Sequence, residues 1–442
     1  MTTWFPEVAK PVAFVGPKKT RGKDDLAFRH YDADAKVGAK SMEQHLKFAV
    51  CLWHTIKGTG VDPFGGPVYD RPWLRGSDPM EVARHTVDAA FEFCSKVGVR
   101  WYCFHDRDVA PEGRTLAETH RNLDEIVKRM KARQKETGVR LLWGTANLFG
   151  HPRYTHGAAT NPDPRVFAHA ASQVRRAIDA TIELGGTGYV FWGGREGYTS
   201  LLNTDMRAER EQTAAFFRMA VEYARRNGFK GMFFLEPKAK EPSVHQYDFD
   251  AATCLDFLRE FDLLGDFLLN LEANHASLAT HSFEHEIRVA AGAGKLGSLD
   301  INRSVEGVGW DTDNFPMDLR EATLALLIVL DQKGLKYGGL NFDAKVRRGS
   351  FDSVDLFHAH VGAMDTWARA LRIAHRIRED GVLSDFLARR YAGFRSGFGR
   401  QVLSGKATLE DAEAFAEKSG EPPLVSGEQE RLESLLNDYL YG

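Results

Sequence analysis

Eight short apolar segments, spaced at intervals of about thirty to fifty residues, most restrict how this chain can fold. Each is nearly continuous in apolar character and is bounded by turn residues, as expected of strands that are buried on both faces of a parallel sheet. In chain order they are "KFAVCLW", "VRWYCF", "VRLLWGT", "GYVFW", "GMFFLE", "FLLNLE", "LGSLDIN" and "YGGLNFD", which end at residues 53, 104, 145, 192, 236, 272, 302 and 343. We therefore predict eight β-strands.

Helix start signals lie between these segments. They include Asp78 in "DPMEV", Thr115 in "TLAE" and Asp163 in "DPRVF". Such side chains accept hydrogen bonds from the free N–H groups of a first helical turn. Strand and helix thus alternate, and eight such units predict an α/β fold, the (β/α)₈ or TIM barrel, over residues 46–375. A doubly wound open sheet is the alternative, although "GGREG" lacks the G-x-G-x-x-G spacing of a dinucleotide-binding turn.

Two further segments flank the predicted barrel. Residues 1–45 are assigned to an N-terminal extension, and residues 376–442 to a C-terminal arm with helical patterns and no strands. The last helical pattern places its apolar residues on one face, namely Leu432, Leu435, Leu436, Tyr439 and Leu440. Because such an arm is too short to build its own core, we expect this face to pack on the barrel or on a neighbouring subunit.

Composition narrows the class of protein. The net charge of -3, without a block of basic residues, gives no electrostatic footprint for nucleic acid. Four cysteines without C-x-x-C spacing favour reduced thiols in the core. The longest apolar run, "LALLIVL", is far too short to cross a bilayer. We expect a soluble cytoplasmic protein that has neither nucleic acid nor a membrane as a partner.

Acidic residues stand at the C-terminal ends of the last four predicted strands, where a TIM barrel carries its chemistry. They are Glu236, Glu272, Asp300 and Asp343, and His275, Asp311 and Asp313 follow nearby. Like charges about 4 Å apart repel by about 4 kcal/mol per pair at an effective dielectric constant of about 20. Four ionised carboxylates in one mouth therefore require cations or large pKa shifts.

We interpret these residues as a two-metal centre, because seven ligands exceed what one octahedral ion normally takes from a protein. Oxygen ligands with a single imidazole suit Mg²⁺, Mn²⁺ or Co²⁺. The first ion is assigned to Glu236, Glu272, Asp300 and Asp343. The second is assigned to His275, Asp311 and Asp313, with Glu272 bridging the two ions. For any one of these residues the alternative is a solvated loop acid.

Two further groups of charged residues have more than one interpretation. Glu236 and Lys238 in "FFLEPK" could form a local ion pair at a strand end. Beside a two-metal centre, Lys238 would instead stay protonated and donate a hydrogen bond to a substrate oxygen. His105 in "CFHDRD" could be a core histidine, but Asp108 offers a carboxylate that would orient the imidazole for proton transfer on a substrate hydroxyl.

Aromatic residues near the strand ends would supply flat apolar walls to a pocket, or simply pack in the core. Trp53, Phe149 and Trp192 are of this kind. Phe64 differs because it lies in the Gly/Pro-rich loop "GTGVDPFGGP", which is too polar to have a core of its own. We predict that Phe64 inserts into an apolar site elsewhere, such as the pocket of a neighbouring subunit.

These motifs, taken in order along the chain, resemble those of the xylose isomerase family. The segments that carry the resemblance are "GTGVDPFGG", "CFHDRD", "WGTANLFGHPRY", "VFWGGREGY", "LEPKAKEPSVHQYDFD", "LEANHASLATHSFEHE", "SLDINRSVEGVGWDTDNFP" and "GGLNFDAKVRR". The long N-terminal segment resembles the longer-chain class of that family. The resemblance implies a (β/α)₈ barrel, a homotetramer in which the C-terminal arm embraces a neighbour, and two divalent metal ions per subunit.

The resemblance also implies a role for each residue of the site. Glu236, Glu272, Asp300 and Asp343 correspond to the ligands of a structural metal, and Glu272, His275, Asp311 and Asp313 to those of a catalytic metal. His105 with Asp108 corresponds to the pair that opens the sugar ring, and Lys238 to the donor that contacts the O1 atom of the substrate. Phe64 corresponds to an aromatic residue lent by an adjacent subunit. From their own positions, Trp53, Phe149 and Trp192 are assigned with Phe64 and Lys238 to substrate binding.

The activity implied is the interconversion of D-xylose and D-xylulose, and of D-glucose and D-fructose, by ring opening and a metal-mediated 1,2-hydride shift. The residue chemistry alone supports a proton-transfer enediol path equally well.

The chain departs from the family at Ala239, where a second proline is common, and in the less familiar stretch "INRSVEG". A two-metal phosphodiesterase or endonuclease on the same barrel is the alternative, although it would call for more cationic surface and more imidazole ligands. A sugar-binding module without catalysis would give no reason for so many carboxylates.

Overall fold

Eight parallel strands close into a barrel in a computed structural model that describes residues 3–17, 26–305 and 307–442. The strands are β1 (Phe48–Cys51), β2 (Trp101–His105), β3 (Arg140–Thr145), β4 (Gly188–Trp192), β5 (Met232–Glu236), β6 (Phe267–Glu272), β7 (Leu296–Asp300) and β8 (Leu340–Phe342). Each pairs in parallel with its neighbours in chain order, and β8 pairs with β1. The predicted TIM barrel is confirmed, and the closed sheet excludes the doubly wound alternative.

Eight helices return the chain along the outside of the barrel. They are α1 (Pro79–Val97), α2 (Leu116–Thr137), α3 (Pro164–Glu183), α4 (Met206–Arg226), α5 (Ala251–Glu260), α6 (Phe283–Gly292), α7 (Leu319–Asp331) and α8 (Ser353–Asp380). Asp78, Thr115 and Asp163 accept hydrogen bonds from backbone N–H groups in the first turns of α1, α2 and α3, as their sequence context predicts.

Shorter elements decorate the barrel. Four short helices span Met42–Leu46, Leu52–Thr55, Asp106–Val109 and Ala273–Leu278, and three 3₁₀ turns span Pro72–Leu74, Pro152–Tyr154 and Ala392–Arg395. Two antiparallel ribbons pair Lys36–Val37 with Lys40–Ser41 and Gly197–Tyr198 with His245–Gln246. Three of the short helices directly follow β1, β2 and β6 and so bring further side chains to the barrel mouth.

The barrel interior is a packed core below the mouth. A cluster of buried side chains fills it, namely Ala49, Cys103, Leu142, Trp143, Val190 and Phe234. Strand side chains alternate between the two faces of a sheet, so a residue two positions beyond an interior one faces the same way. Glu236 therefore follows Phe234 on the interior face of β5, and its carboxylate lies where the apolar filling ends.

Four helices follow the barrel: α9 (Val382–Arg390), α10 (Gly397–Leu403), α11 (Leu409–Ser419) and α12 (Gln429–Tyr441). Leu436 and Leu440 of α12 are buried, and α12 is tied to α8 by a hydrogen bond from Arg376 to the Tyr439 carbonyl oxygen, at 3.2 Å. The segment between α8 and α12 leaves large apolar side chains exposed, including Leu387, Tyr391, Phe394, Leu403, Leu409, Phe415 and Leu424. The boundaries at residues 45 and 376 stay predictions, and α8 itself continues to Asp380.

No helix in the described ranges is both long enough and apolar enough to span a bilayer. All four cysteines are buried, and none of them forms a disulfide within the part of the chain that the structure describes.

Candidate functional site

Four carboxylates converge at the C-terminal mouth of the barrel. Glu236, Glu272 and Asp300 are the last residues of β5, β6 and β7, and Asp343 directly follows β8. One oxygen atom from each of the four lies within 4.8 Å of the others, and all four residues are buried. The parallel strands therefore bring together the four residues that the sequence assigned to a first metal ion.

A second group of ligand atoms adjoins the first. Oxygen atoms of Glu272, Asp311 and Asp313 also lie within 4.8 Å of one another. The Nε2 atom of His275 is 3.2 Å from Oε2 of Glu272 and 3.4 Å from Oδ2 of Asp311. His275 comes from the short helix that follows β6, and the two aspartates come from the loop after β7. Both groups share Glu272, the residue that the sequence analysis assigned as the bridging ligand.

Burial and mutual repulsion raise the pKa of four acids of the two groups, Glu236, Glu272, Asp300 and Asp313. The pKa of Glu236 is raised well above its usual value by burial and by the charges of Asp300 and Asp343. Burial and the neighbouring Asp311 raise the pKa of Glu272, and burial together with Asp343 raises the pKa of Asp300. Without cations, the ionised form of these carboxyl groups is therefore unfavourable, because neighbouring side chains do not compensate their charges.

Several buried nitrogen and oxygen atoms at the mouth, each able to bind a metal ion, make no hydrogen bond to any residue within the described ranges. They are Oε2 of Glu272, Oδ2 of Asp300, Oδ1 of Asp311 and Nδ1 of His275. A buried polar atom that lacks a partner is costly, so such a set indicates a ligand. Hard carboxylate oxygens with a single imidazole match Mg²⁺, Mn²⁺ or Co²⁺. The residues present therefore fit divalent cations.

Lys238 adds a fixed positive charge beside the second group. Its Nζ atom is 2.6 Å from Oδ2 of Asp311 and 3.1 Å from Oε2 of Glu241, and it lies 5.1 Å from the centre of the Trp192 ring. Burial lowers the pKa of this ammonium, but Asp311 and Glu272 more than compensate, so the pKa is raised overall. Lys238 is protonated at neutral pH, and its ion pairs are with Asp311 and Glu241 rather than with Glu236.

His105 and Asp108 form a buried pair at the end of β2. The Nδ1 atom of His105 is 3.0 Å from Oδ2 of Asp108, which also accepts the backbone N–H of His105 at 2.7 Å. The short helix Asp106–Val109 folds the carboxylate back onto the imidazole. Donation from Nδ1 to Asp108 leaves the Nε2 lone pair of His105 available to a substrate.

Three of the four predicted aromatic residues line one cavity of about 770 Å³, together with His105, Lys238 and His275. Trp53 packs 4.6 Å from the His105 ring, and Phe149 meets Trp192 edge-on at 4.5 Å, both measured between ring centres. Phe64 is 81% exposed and stands outside this wall, with its ring centre 6.0 Å from that of Trp310. Phe64 therefore lies outside the apolar wall of its own chain, and its insertion into an apolar site elsewhere stays a prediction.

Comparison with known proteins identifies the family. Residues 91–318 match the family described as a xylose isomerase-like TIM barrel, and residues 387–440 match the XylA2 C-terminal domain. The chain is 52% identical to the xylose isomerase of Thermotoga maritima over 440 residues, which cover 100% of this chain and 98% of that protein. It is 51% identical to the xylose isomerase of Geobacillus thermodenitrificans over 437 residues, which cover 99% and 97% of the two chains. The chain belongs to the xylose isomerase family.

The membership confirms the resemblance that the motifs carried and does not favour the phosphodiesterase alternative. A third relative, the xylose isomerase of Thermoanaerobacterium thermosaccharolyticum, is 48% identical over 441 residues that cover both chains completely. Similarity over the full length means that the barrel mouth and the C-terminal arm are both within the compared region.

In this member of the xylose isomerase family, three asparagines donate hydrogen bonds to carboxylates at the barrel mouth. The sequence analysis did not single out these asparagines. Asn270 donates to Oε2 of Glu236 at 2.8 Å, Asn302 to Oε1 of Glu272 at 2.6 Å, and Asn341 to Oδ1 of Asp300 at 3.0 Å. Each asparagine stands two positions from an acid of the same strand or of the residues that directly follow it. The pairs are Asn270 with Glu272, Asn302 with Asp300, and Asn341 with Asp343. The period of two along a strand was the signal that could have found them.

His54 is another residue at the mouth that sequence reasoning missed, as are Glu241 and Lys345. Its Nε2 atom is 3.1 Å from Oδ1 of Asp343 and 3.2 Å from Oδ2 of Asp313, so it joins one acid from each ligand group. Burial would lower the pKa of His54, but the two carboxylates raise it to about 9. His54 lies in the short helix after β1. Its position one residue after Trp53, at the end of a predicted strand, was the signal that could have placed it at the mouth.

We expect His54→Gln to weaken the binding of Mn²⁺ by about 10–100-fold, which is the usual cost of losing a partner of a metal ligand. The imidazole contacts both Asp313 and Asp343, so each carboxylate would lose one of the groups that orient it. Calorimetric titration of the metal-free protein with Mn²⁺ measures this effect. His156→Gln, at an exposed histidine that does not line the cavity, is the matched control. Equal affinity in the two variants would show that His54 does not position the ligands.

Proposed function

We propose that the chain is a divalent-metal-dependent aldose–ketose isomerase that interconverts D-xylose with D-xylulose and D-glucose with D-fructose, and that it acts in the cytoplasm as a homotetramer. The observation that carries this proposal is the sharing of Glu272 by two carboxylate groups, beside Lys238 and the His105–Asp108 pair in one cavity. It occurs in a chain that is 52% identical to a xylose isomerase over its full length.

Two divalent ions would be held by residues already in place. One set is Glu236, Glu272, Asp300 and Asp343, and the other is Glu272, His275, Asp311 and Asp313. When bound, such ions act as Lewis acids that polarise oxygen atoms of the sugar. They would also neutralise the repulsion that raises the pKa of Glu236, Glu272 and Asp300.

His105 is suited to opening the cyclic sugar. With Nδ1 donating to Asp108, Nε2 can accept the proton of the O1 hydroxyl as the bond between C1 and the ring oxygen breaks. The C1–O1 bond then becomes a carbonyl, and the ring oxygen takes up a proton. The aldehyde form that results would lie in the cavity of about 770 Å³.

Lys238 is placed to donate to the carbonyl oxygen at C1. Its ammonium is held between Asp311 and Glu241 and is covered by the face of Trp192. A fixed donor stabilises negative charge that develops on this oxygen when hydrogen moves from C2 to C1. Trp53, Phe149 and Trp192 form apolar walls that exclude water from the two carbon atoms.

A direct test is to incubate the purified protein with D-xylose and Mg²⁺ and to follow the appearance of D-xylulose. EDTA should stop the reaction and excess Mg²⁺ or Mn²⁺ should restore it. In D₂O a hydride shift leaves the hydrogen at C1 of the product unexchanged, whereas an enediol path introduces deuterium there. No ketose, together with nicking of plasmid DNA, would support the phosphodiesterase alternative. Equal affinity for xylose before and after EDTA, without turnover, would support a binding module.

His105→Gln is expected to lower kcat/KM for D-xylose by about 10²–10⁴-fold, the usual contribution of a general acid–base group. The substitution removes the proton acceptor but none of the proposed metal ligands. The metal content of the variant should therefore equal that of the unmodified protein. A comparable loss of metal would mean that His105 acts on the fold of the mouth rather than on the sugar.

The proposed tetramer is supported by two features of the surface. Phe64 is 81% exposed, and the segment between α8 and α12 exposes a series of apolar side chains that nothing in the described chain covers. Exposed apolar patches of this kind are typical of subunit interfaces. We therefore place Phe64 in the sugar site of a neighbouring subunit, and the arm around that neighbour.

Subunit mixing tests the placement of Phe64. Phe64→Ala should lower kcat/KM by about tenfold or more, which corresponds to about 1.4 kcal/mol of transition-state stabilisation. Tetramers assembled from Phe64→Ala and His105→Gln chains should be more active per intact His105 than the Phe64→Ala tetramer, because an intact His105 then meets an intact Phe64 from the other chain. Light scattering reports the assembly. No recovery in mixed tetramers would mean that Phe64 serves its own subunit.

A further inference from the structure

Outside the barrel mouth, three side chains form a separate group of potential metal ligands. His281, His285 and Glu286 each offer one donor atom, and the three atoms lie within 4.8 Å of one another. They stand around the start of α6, beyond the short helix that carries His275. None of the three belongs to the ligand sets of the proposed isomerase.

Glu286 holds His281 in one orientation. Its Oε1 atom lies 2.8 Å from Nδ1 of His281, and its Oε2 atom accepts the backbone N–H of Ala251 at 2.7 Å. The carboxylate is buried and therefore fixed. Histidines that ligate metals commonly donate their other ring N–H to a carboxylate, which sets the tautomer and raises the basicity of the ligating nitrogen. This pairing leaves the lone pair of His281 on Nε2.

His285 places a second imidazole beside the first. The two ring centres are 4.4 Å apart and their planes meet at 70°, so the rings stand edge to face. The partial positive charge at the start of α6 opposes a cation, but Glu286 supplies a full negative charge within the group. Arg288, one turn further along α6, is ion-paired with Glu284 at 2.8 Å, so its charge is largely compensated.

We propose that His281 and His285 bind a transition-metal dication such as Zn²⁺, Ni²⁺ or Cu²⁺, with Glu286 as the carboxylate that orients His281. Imidazole ligands suit these ions, whereas Mg²⁺ prefers oxygen ligands. The site would thus select different ions from the carboxylate-rich mouth. A bound ion would join the turn that precedes α6 to the first turn of that helix and would stabilise this part of the barrel.

Titration of the Mg²⁺-saturated protein with Zn²⁺ tests the proposal. The unmodified protein should bind one more Zn²⁺ per chain than His285→Gln, because the variant lacks one of the two imidazoles. His285 is exposed, so the substitution should not disturb folding. His358→Gln, at an exposed histidine of α8, is the matched control and should bind like the unmodified protein. Equal stoichiometry in all three proteins would overturn the proposal.

Two further measurements distinguish a specific metal site from non-specific binding of the ion to surface histidines. Glu286→Gln should weaken Zn²⁺ binding by about 10–100-fold, since it removes the charge that acts on His281 but keeps an acceptor oxygen. Electron paramagnetic resonance of bound Cu²⁺ should show coupling to two imidazole nitrogens in the unmodified protein and to fewer in His285→Gln. Identical spectra would rule out ligation by His285. Xylose turnover with Mg²⁺ should be unchanged in His285→Gln, which makes this test independent of the isomerase activity.

Discussion

Replacing Glu272 with glutamine is expected to remove both proposed metal sites at once. Glu272 is the residue that the two carboxylate groups share, and Oε2 is one of its buried atoms without a hydrogen bond in the described chain. An amide in its place cannot offer two anionic oxygens. We expect the affinity for both Mn²⁺ ions to fall by more than about 100-fold, the upper end of the cost of losing an outer partner, and xylose turnover to fall with it.

The same substitution should leave the fold intact. Asn302 donates to Oε1 of Glu272, and a glutamine oxygen can accept this hydrogen bond as well. Because burial and neighbouring acids raise the pKa of Glu272, its charge is unfavourable in the metal-free protein. The metal-free variant should therefore unfold at the same temperature as the unmodified protein or at a higher one.

Metal content, Mn²⁺ titration and thermal unfolding of Glu272→Gln check these expectations. Glu222→Gln, at an exposed glutamate of α4, is the matched control for the loss of one carboxylate. Retention of both ions in Glu272→Gln would contradict the bridging role. Loss of only one ion would place Glu272 in a single site.

Lys238→Met is expected to lower kcat for D-xylose by about 10²–10³-fold, the usual effect of removing one donor that stabilises a developing oxyanion. The ammonium lies 2.6 Å from Asp311 and is covered by Trp192. Methionine has a similar length but no charge. Its apolar chain can still lie against the Trp192 ring, so the cavity wall should persist.

The affinity for metal ions distinguishes the expected effect of Lys238→Met from that of Glu272→Gln. Lys238 lowers the pKa of Asp311, against the effect of burial, and competes with a cation for the same carboxylate. Lys238→Met should therefore bind divalent ions at least as tightly as the unmodified protein while turning over slowly. Lys230→Met, at an exposed lysine before β5, is the control. Loss of metal together with activity would show that Lys238 supports the ligands rather than the substrate.

Most of the barrel mouth follows from periodicity along the strands. Continuous apolar segments predicted eight buried strands, and the acids at their ends predicted one shared mouth because parallel strands point the same way. Asn270, Asn302 and Asn341 obey the same rule, since each shares a face with an acid two residues away. The pairing of His105 with Asp108 could also be predicted from the sequence, because the two residues are three positions apart, within one helical turn.

Contacts between loops that are distant in the sequence could not be predicted from periodicity. Proximity in the sequence favoured an ion pair between Glu236 and Lys238, but Pro237 ends β5 and the lysine reaches Asp311, which is 73 residues away. His54 contacts Asp313 and Asp343 from a helix after β1, and no local pattern joins these three residues. Such distances depend on how each loop closes over the mouth.

The amino-acid sequence by itself determined the barrel, the set of acids at its mouth and the face of the last helix, because each depends on spacing along one element. The tertiary structure alone decided that His54 joins Asp313 and Asp343, that Lys238 pairs across the mouth, and that His281, His285 and Glu286 meet around the start of α6. These arrangements require the register of eight strands and the closure of their loops. Distances of a few ångströms between side chains from different units follow only from that packing.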